Sequence, residues 1–413
     1  MAKEILFPGL TEYLAPYHPY FYCIKSRETA KCYLAGLMMD GERKSVEPMS
    51  VKVNTPERVM QYFLSSALWD EQKVGAEYRH RMLMETSDPQ GLFVIDDTGF
   101  TKKGVNSACV SRQYCRATGK TDNCQIGTSM TYVGHDVAWP YIMELFVPES
   151  WDEDTEACSA RRKKTHIPES VHHRTKWQMA LDFIDLARQE NVPHRAILAD
   201  SWYGNIPAFR QGLESRKENY FLGIDSDTQI FLQEPDFHYL PVTEGQRGRK
   251  QGIPVESTVP GAIRLSVLGA SVAEENWQRL ELRLDSCGEP LVVETVSMRV
   301  WPAYSLAKRK HHEEVWLMVE RRSLSKGGYE LRYFFSNMPQ QLSTLDLAKV
   351  YHERYWIEQG YQQLKEELGL DHHEGRSWKG WHRHVLLTFL AYGYLTQVRL
   401  HKNIEGNQAA RSE

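Results

Sequence analysis

The chain has 413 residues, of which 41% are hydrophobic and 25% are charged, as in an ordinary globular protein of two or three domains. It has no apolar run near the roughly 18 residues that a membrane span needs, and its N-terminus lacks the layout of a secretory signal. We therefore expect a cytoplasmic location. The net charge of −4 argues against a protein that coats nucleic acid through its overall charge.

Local basic clusters are nevertheless compatible with a polyanionic partner. They are "RRKKTH" at 161–166, "RGRK" at 247–250, "KRKHH" at 308–312 and "RSWKGWHRH" at 376–384. Each cluster alone fits a solvated face equally well. Together, in an otherwise acidic chain, they favour contact with nucleic acid.

The first 85 residues are predicted to be helical. "SRETAKCYLAGLMM" and "TPERVMQYFLSSALWDEQKVGAEYRHRML" place apolar residues three or four positions apart. No clear helix-turn-helix pattern is present.

The next part of the chain alternates short apolar runs with helical patterns. "GLFVIDDTGF" predicts a buried strand that ends in carboxylates, and strands are also predicted in "SACVSRQYC", "CQIGTSMTYVG" and "VAWPYIMELFVP". The helix "TKWQMALDFIDLARQE", the strand "AILAD", the helix "IPAFRQGLESRK" and the strand "NYFLGI" follow. This order predicts an α/β domain with mixed strand pairing.

Residues 226–312 are predicted to be all-β, from "AIRLSVLGASV", "RLELRLDS" and "PLVVETVSMRV". "EEVWLMVE" and "YELRYFFSN" predict two more strands, and a last helix is expected over 381–400. Before that helix, "YHERYWIEQGYQQLK" has a helical pattern. If it forms one helix, Tyr351, Arg354, Glu358 and Lys365 share a narrow stripe.

Three carboxylates are candidates for a metal site: Asp96 and Asp200 at strand ends, and Glu358 on a helix. Strand ends of α/β sheets are where ligands gather, and Mg²⁺ prefers oxygen ligands. Each residue also has a structural alternative, namely a turn at Asp96, a helix cap at Asp200 and an ion pair with Arg354 at Glu358. The three together favour phosphoryl transfer by two metal ions.

These blocks resemble a DDE-type transposase of a bacterial insertion sequence. "DDTGFTKKG", "RQYC" and "NCQIG" are similar to the block around the first catalytic aspartate, and "LADSWYGN" to that around the second. "YHERYWIEQGYQQLK" fits the Y-x2-R-x3-E-x6-K signature at every position. The resemblance covers about residues 30–395.

The resemblance implies a ribonuclease-H-like mixed-sheet core with a β-rich insertion between the second aspartate and the glutamate. The expected division is an N-terminal helical DNA-binding domain at 1–85, the core at 86–225 and 313–400, the insertion at 226–312 and a tail at 401–413. Asp96, Asp200 and Glu358 would hold two Mg²⁺ ions, for which Mn²⁺ is expected to substitute. Asp97 follows Asp96 directly, and neighbours on a strand face opposite ways, so the family pattern assigns the metal position to Asp96.

The resemblance also implies double-stranded DNA as the partner, both the terminal inverted repeats and the target, with a homodimer on paired ends. The activity would be cut-and-paste transposition, and the signature favours hairpin ends. Candidate DNA-binding residues are Tyr351, Arg354, Lys365, Lys102, Lys103, Arg376 and Lys379. Alternatives are a domesticated DNA-binding regulator and a stand-alone metal nuclease.

Other side chains have competing interpretations. His372, His373, His382 and His384 suggest a zinc site, but the interleaved Trp381 and Arg383, with Arg376, Trp378 and Lys379, fit phosphate contact and base stacking better. A polar helix start on the surface, with no functional role, fits this segment equally well. Trp316 and Tyr333 suit either a flipped base or the core, and the core is favoured. The seven cysteines are predicted to be buried thiols.

Overall fold

The chain divides into two compact units, and it leaves the first unit for the second before it returns. The computed structural model describes residues 7–135, 137–235, 238–239, 254–255, 261–284, 290–303, 313–324 and 327–412. The first unit comprises Met1–His194 and Tyr355–Glu413, and the second comprises Arg195–Arg354. The predicted domain division uses other boundaries and stays a prediction.

Helices occupy the start of the first unit, as the sequence predicts. They are α1 (Leu10–Leu14), α2 (Ile24–Met38), α3 (Val46–Lys52), α4 (Glu57–Ser65) and α5 (Glu71–Thr86). The side chain of Asp70 accepts a hydrogen bond from the backbone N–H of Lys73 at 3.0 Å. This cap satisfies an N–H that has no partner within the helix, so α5 begins as a separate helix at this point.

An antiparallel sheet follows, formed by β1 (Leu92–Thr101), β2 (Ser111–Cys115), β3 (Lys120–Gly134) and β4 (Val137–Leu145). The long strand β3 pairs with β1, β2 and β4. In the β1–β3 register, Asp96 lies opposite Ser129 and Asp97 opposite Thr128. Helices α6 (Glu156–Lys164) and α7 (Lys176–Gln189) complete this part of the chain. The predicted strands and the helix α7 are confirmed.

The second unit is built on a mixed sheet. Its strands run in the order β10-β7-β12-β13-β14-β6-β5, with β11 on β12. Strand β5 is parallel to β6, and the other described pairs are antiparallel. The strands are β5 (Ala196–Ala199), β6 (Tyr220–Ile224), β7 (Gln229–Phe231), β10 (Ile263–Arg264), β11 (Gln278–Leu284), β12 (Pro290–Pro302), β13 (Val315–Ser323) and β14 (Tyr329–Ser336). A separate pair is β8 (His238–Tyr239) with β9 (Pro254–Val255).

The helices of the second unit are α8 (Ser201–Gly204), α9 (Pro207–Ser215), α10 (Leu265–Ser271) and α11 (Thr344–His352). The prediction of β structure in "AIRLSVLGASV" is wrong beyond Arg264, because α10 begins at Leu265. Leu265, Leu268 and Gly269 are buried, and their spacing is helical. The alternating residues just before them favoured the prediction of a strand instead. A side chain at Gly269 would meet the hydroxyl of Tyr333, so the helix packs against β14 at this residue.

The returning segment contains α12 (Tyr355–Gln362), a π-helical turn (Gln363–Glu367) and α13 (Trp378–Ser412). The prediction of one continuous helix across 351–365 is therefore wrong. Tyr351 lies in α11, Arg354 precedes α12, and Lys365 lies in the π-helical turn, so the single helical period assumed for the predicted stripe does not hold. No helix of the described residues is both long and apolar enough to cross a bilayer.

Candidate active site

Asp96 is a buried carboxylate in the middle of β1. Its residue is 5% exposed, and its Oδ1 accepts the backbone N–H of Asp97 at 2.9 Å. The guanidinium of Arg116, from the turn between β2 and β3, forms an ion pair with the same oxygen. The nearby positive charge offsets part of the cost of burying this carboxylate.

Asp97 has different surroundings, as the alternation of the strand requires. Its Oδ1 accepts a hydrogen bond from the hydroxyl of Thr128 at 3.0 Å, and its Oδ2 lies 2.5 Å from the ammonium of Lys176 at the start of α7. This carboxylate is engaged in joining the sheet to a helix. Both carboxylates thus have a cationic partner, and the assignment of the metal position to Asp96 stays a prediction.

Glu358 lies on a helix that contacts β1 at Asp96. Tyr361 follows Glu358 by three residues, so the two share a face of α12. The Tyr361 hydroxyl is bonded to the hydroxyl of Ser129 and lies 3.5 Å from the carbonyl oxygen of Asp96. Burial, with the negative charge of Asp96 adding to it, holds the pKa of Tyr361 well above its usual value. Tyr361 thus joins α12 to the strand that carries Asp96, whereas Glu358 on the same helix is exposed.

Lys365 completes this part of the site. Burial lowers the pKa of its ammonium, and the negative charges of Asp371 and Asp96 act in the opposite direction. The role that the signature implies for Lys365 stays a prediction. The π-helical turn, rather than the predicted stripe, gives Lys365 its position.

Asp200 belongs to the second unit, where it caps α8. Its side chain accepts the backbone N–H of Tyr203 at 3.4 Å, so the predicted alternative of a helix cap describes its local geometry. A Cβ on Gly204 would lie 1.8 Å from the carbonyl oxygen of Gly223, and a Cβ on Gly223 would lie 2.7 Å from the N–H of Ser201. Both glycines let α8 lie directly on β6, which fixes the backbone beside Asp200 and explains the glycine in "SWYGN".

Tyr351 and Arg354 also belong to the second unit. The Tyr351 ring packs against Phe334 at 4.0 Å and Phe221 at 5.5 Å between centroids. Its ring is therefore part of an aromatic cluster, so only its hydroxyl would be left to contact phosphate.

Tyr333 is 4% exposed, in agreement with the predicted core role, and the Trp316 indole N–H donates to the carbonyl oxygen of Pro339 at 3.2 Å.

The predicted basic residues divide between two places in the first unit. A groove of about 1150 Å³ is lined by Lys102, Lys103 and Arg376, together with Arg43, which the sequence prediction missed. The Lys102 ammonium donates to the carbonyl oxygen of His373 at 2.5 Å, and burial lowers its pKa. The groove has as many carboxylates as basic side chains, so it is not a uniformly positive surface. Lys379 is 4.0 Å from Glu71 and lines another cavity.

Arg383 and Trp381 are buried, which contradicts their predicted contact with phosphate and bases. Arg383 is 0% exposed and donates to the carbonyl oxygens of Phe63 and Trp69 and to the Glu71 carboxylate. Trp381 is 1% exposed and meets Phe100 edge-on. Both side chains fasten α13 to the rest of the first unit.

The zinc alternative is not supported within the described residues, where no three acidic, histidine or cysteine side chains are placed to hold a metal ion. His384 binds Tyr33 at 2.8 Å through Nδ1, and its Nε2 lies 3.1 Å from two carbonyl oxygens. Burial lowers the pKa of His382 and His384 to about 4.

The predicted burial of the cysteines is confirmed at Cys32, Cys109, Cys115, Cys124 and Cys158 but is wrong for Cys23, which is exposed.

The fold and the site define an α/β protein in which a buried strand aspartate meets a helix that carries a glutamate. A family model described as "DDE superfamily endonuclease" matches residues 19–286. The chain belongs to this family. The matched region contains Asp96 and Asp200.

Two further comparisons concern individual proteins. The chain is 23% identical over 361 residues to the "Probable transposase for insertion sequence element IS701" of Microchaete diplosiphon, covering 87% of this chain and 79% of the relative. A solved structure described as "piggyBac transposase synaptic complex with hairpin DNA" aligns over 92% of this chain and 75% of its own, with 9% identity and a TM-score of 0.37. The family match and the relative confirm the resemblance to DDE-type insertion-sequence transposases.

Proposed function

We propose that this protein is a cut-and-paste DNA transposase. One observation carries the proposal: in a member of the DDE superfamily, the helix face with Glu358 contacts the strand at Asp96 through Tyr361. Those two carboxylates are the first and last acids of the predicted triad. We include Asp200 because its block resembles the second aspartate block and its backbone is tightly fixed.

The proposed architecture is a ribonuclease-H-like core, with a β-rich insertion between Asp200 and Glu358. The antiparallel strands β1, β3 and β4 and the helices α7 and α12 supply the first unit's share of such a core. The antiparallel strands β11 to β14 are the counterpart of the insertion and its flanks. The N-terminal helices are proposed to contact the transposon ends.

Two Mg²⁺ ions are the proposed cofactor. Asp96 fits a cation-binding role, because its buried carboxylate is already paired with a guanidinium. Asp96, Asp200 and Glu358 would hold the ions, with Mn²⁺ expected to substitute. Divalent ions of this kind activate water and stabilise the attacking and leaving oxygens of a phosphoryl transfer.

The chain's own residues hold and orient the DNA. The Lys365 ammonium would offset the negative charge of a scissile phosphate. Arg354 would bind phosphate oxygens in pairs, and the Tyr351 hydroxyl would donate a further hydrogen bond. Lys103, Arg376 and Arg43 offer basic side chains in one groove. Tyr361 would support the backbone of Asp96 through its contact with the Asp96 carbonyl oxygen.

The reaction would cleave DNA at the terminal inverted repeats, with hairpin ends favoured by the signature, and the freed 3′-hydroxyl would then attack target DNA. Both ends must be held together, so a homodimer on paired ends is proposed. The setting would be nucleoid DNA in the cytoplasm.

A cleavage assay tests the proposal. A supercoiled plasmid with the element's two ends is incubated with Mg²⁺ and wild-type protein, Asp96→Asn or Asp97→Asn. We expect cutting by the wild type and by Asp97→Asn but none by Asp96→Asn. Binding of the ends without cutting would instead identify a regulator. Cutting without joining of a pre-cleaved end to target DNA would identify a stand-alone nuclease.

A further inference from the structure

A cavity of about 380 Å³ in the first unit has no part in the proposed reaction. It lies among α1, α5, β4 and α13, and its walls are aromatic. Its aromatic lining residues are Tyr13, Tyr17, Tyr78, Trp139 and Tyr394. The volume falls in the range of small-molecule sites, roughly 300–1,000 Å³.

The aromatic walls depend on a glycine in α13. Tyr13 meets Tyr394 edge-on at 5.5 Å, and Tyr78 meets Trp139 edge-on at 6.2 Å between ring centroids. A Cβ on Gly393 would lie 2.7 Å from the Tyr13 hydroxyl, 2.8 Å from a ring carbon of Trp139 and 3.1 Å from one of Tyr78. The missing side chain therefore allows three of the rings to converge at this point.

Two buried polar groups in the lining have no partner among the described residues. Tyr78 is 2% exposed and Trp139 is 3% exposed, yet within the described part of the chain neither the Tyr78 hydroxyl nor the Trp139 indole N–H has a hydrogen-bond partner. The neighbouring phenols differ, because Tyr13 donates to the carbonyl oxygen of Leu390 at 2.9 Å and Tyr394 to that of Pro8 at 2.6 Å. An unpaired buried donor is costly, so these two call for an acceptor in the cavity.

We propose that this cavity binds a planar heteroaromatic ring with a hydrogen-bond acceptor, of the nucleobase class. The rings of the walls suit stacking on such a ligand. An indole N–H only donates, so an organic ammonium, which also only donates, would leave Trp139 unpaired. A base carbonyl or ring nitrogen accepts from both Trp139 and Tyr78.

The rim favours a neutral base over a phosphate. Glu12 and Glu85 lie beside Arg81 and His401, so no net positive charge faces the opening. Arg81 is also paired with Glu77 at 2.7 Å. The ring has two possible sources, a free nucleoside and an unpaired base in a DNA strand.

The test measures ligand binding to the full chain by calorimetry, without metal. The probes are adenosine, thymidine and a single-stranded thymidine oligonucleotide. The double variant Tyr78→Phe/Trp139→Phe keeps both rings and removes both donors. Because neither donor has a partner, we expect the variant to fold as stably as the wild type and to bind about tenfold or more weakly.

Tyr132→Phe is the matched control. The Tyr132 hydroxyl bonds to the N–H and the carbonyl oxygen of Asp88 and to the carbonyl oxygen of Pro193, each at 3.0 Å. The same chemical change there should lower the unfolding temperature and leave ligand binding unchanged.

Saturable binding of a nucleoside supports a free nucleoside as the ligand, and binding of the oligonucleotide alone supports an unpaired base in a DNA strand. No saturable binding, or binding unaffected by the double variant, overturns the proposal. Asp96→Asn should bind as the wild type does, so this result does not depend on whether the protein cleaves DNA.

Discussion

The Arg116 guanidinium is ion-paired with the buried Asp96 carboxylate, although Arg116 lies on an exposed hairpin turn. The Arg116 side chain is 47% exposed and that of Asp96 is 7% exposed. The arginine thus reaches from solvent to the place where a divalent ion would meet the same oxygen. If Asp96 binds a metal ion as proposed, the guanidinium and the ion would compete for that carboxylate, and Arg116 would have to shift.

Arg116→Ala should therefore strengthen the binding of Mn²⁺. Removing the guanidinium takes away one cation that would compete for Asp96 Oδ1, and we expect the dissociation constant to fall by about tenfold, the equivalent of about 1.4 kcal/mol. Calorimetric titration of the metal-free protein with Mn²⁺ measures this. Arg116→Lys keeps the positive charge, so its dissociation constant for Mn²⁺ should lie between those of the wild type and Arg116→Ala. Weaker binding in Arg116→Ala would show that the arginine supports the metal site instead of competing for it.

Asp97→Asn should weaken the fold and spare cleavage. The substitution removes the charge that pairs with Lys176 across a partly buried contact between β1 and α7. The expected loss in the free energy of unfolding is about 1–3 kcal/mol, the range for leaving a buried polar group poorly paired. Urea unfolding measures the loss, and Asp96→Asn serves as the comparison for cleavage. Loss of cutting by folded Asp97→Asn would move the functional assignment to Asp97.

How much the sequence could predict depends on the range of the interactions involved. The strand at Asp96 and the cap at Asp200 follow from local patterns, and the structure contains both. The break between α11 and α12 was missed, because the residues of 351–365 keep a helical period through it. Arg116 was missed because its partner is twenty residues away, although it directly follows the "RQYC" block. Tyr361 falls at an unspecified position of the signature, and its contact with Ser129 depends on packing.

For Arg383 the sequence predicted a functional contact where the structure has a buried side chain. Its place among basic and aromatic residues predicted contact with DNA, whereas the side chain is enclosed by α4, α5 and α13. The basic cluster gave no sign of burial, because the carbonyl oxygens that accept from Arg383 lie over three hundred residues earlier in the chain.

Arg383→Met should therefore destabilise the protein rather than weaken DNA binding directly. It leaves the Glu71 carboxylate and the carbonyl oxygens of Phe63 and Trp69 without their donor. Breaking a buried pair in this way costs about 3–5 kcal/mol. Urea unfolding tests it against Lys379→Ala, which removes a partly exposed charge near the same glutamate and should cost less than about 1 kcal/mol. Equal effects of the two variants would contradict the buried role of Arg383.

His382 and His384 should make stability fall in mild acid. Burial lowers the pKa of each to about 4 from the ordinary 6.5, so between these values the unfolded chain binds protons that the folded chain does not. The contribution of these two histidines to stability is therefore fully present above about pH 6.5, and it is lost as the pH falls toward 4.

His384→Gln isolates one of these contributions. Glutamine does not titrate, and its amide can still donate toward the carbonyl oxygens of Gly369 and Leu370. The urea midpoint of wild type and variant is measured between pH 4 and pH 7. The variant should be less stable at pH 7 but should lose less stability on acidification, because one proton fewer is taken up on unfolding. Parallel pH profiles would mean that His384 is protonated as readily in the folded chain as in the unfolded one.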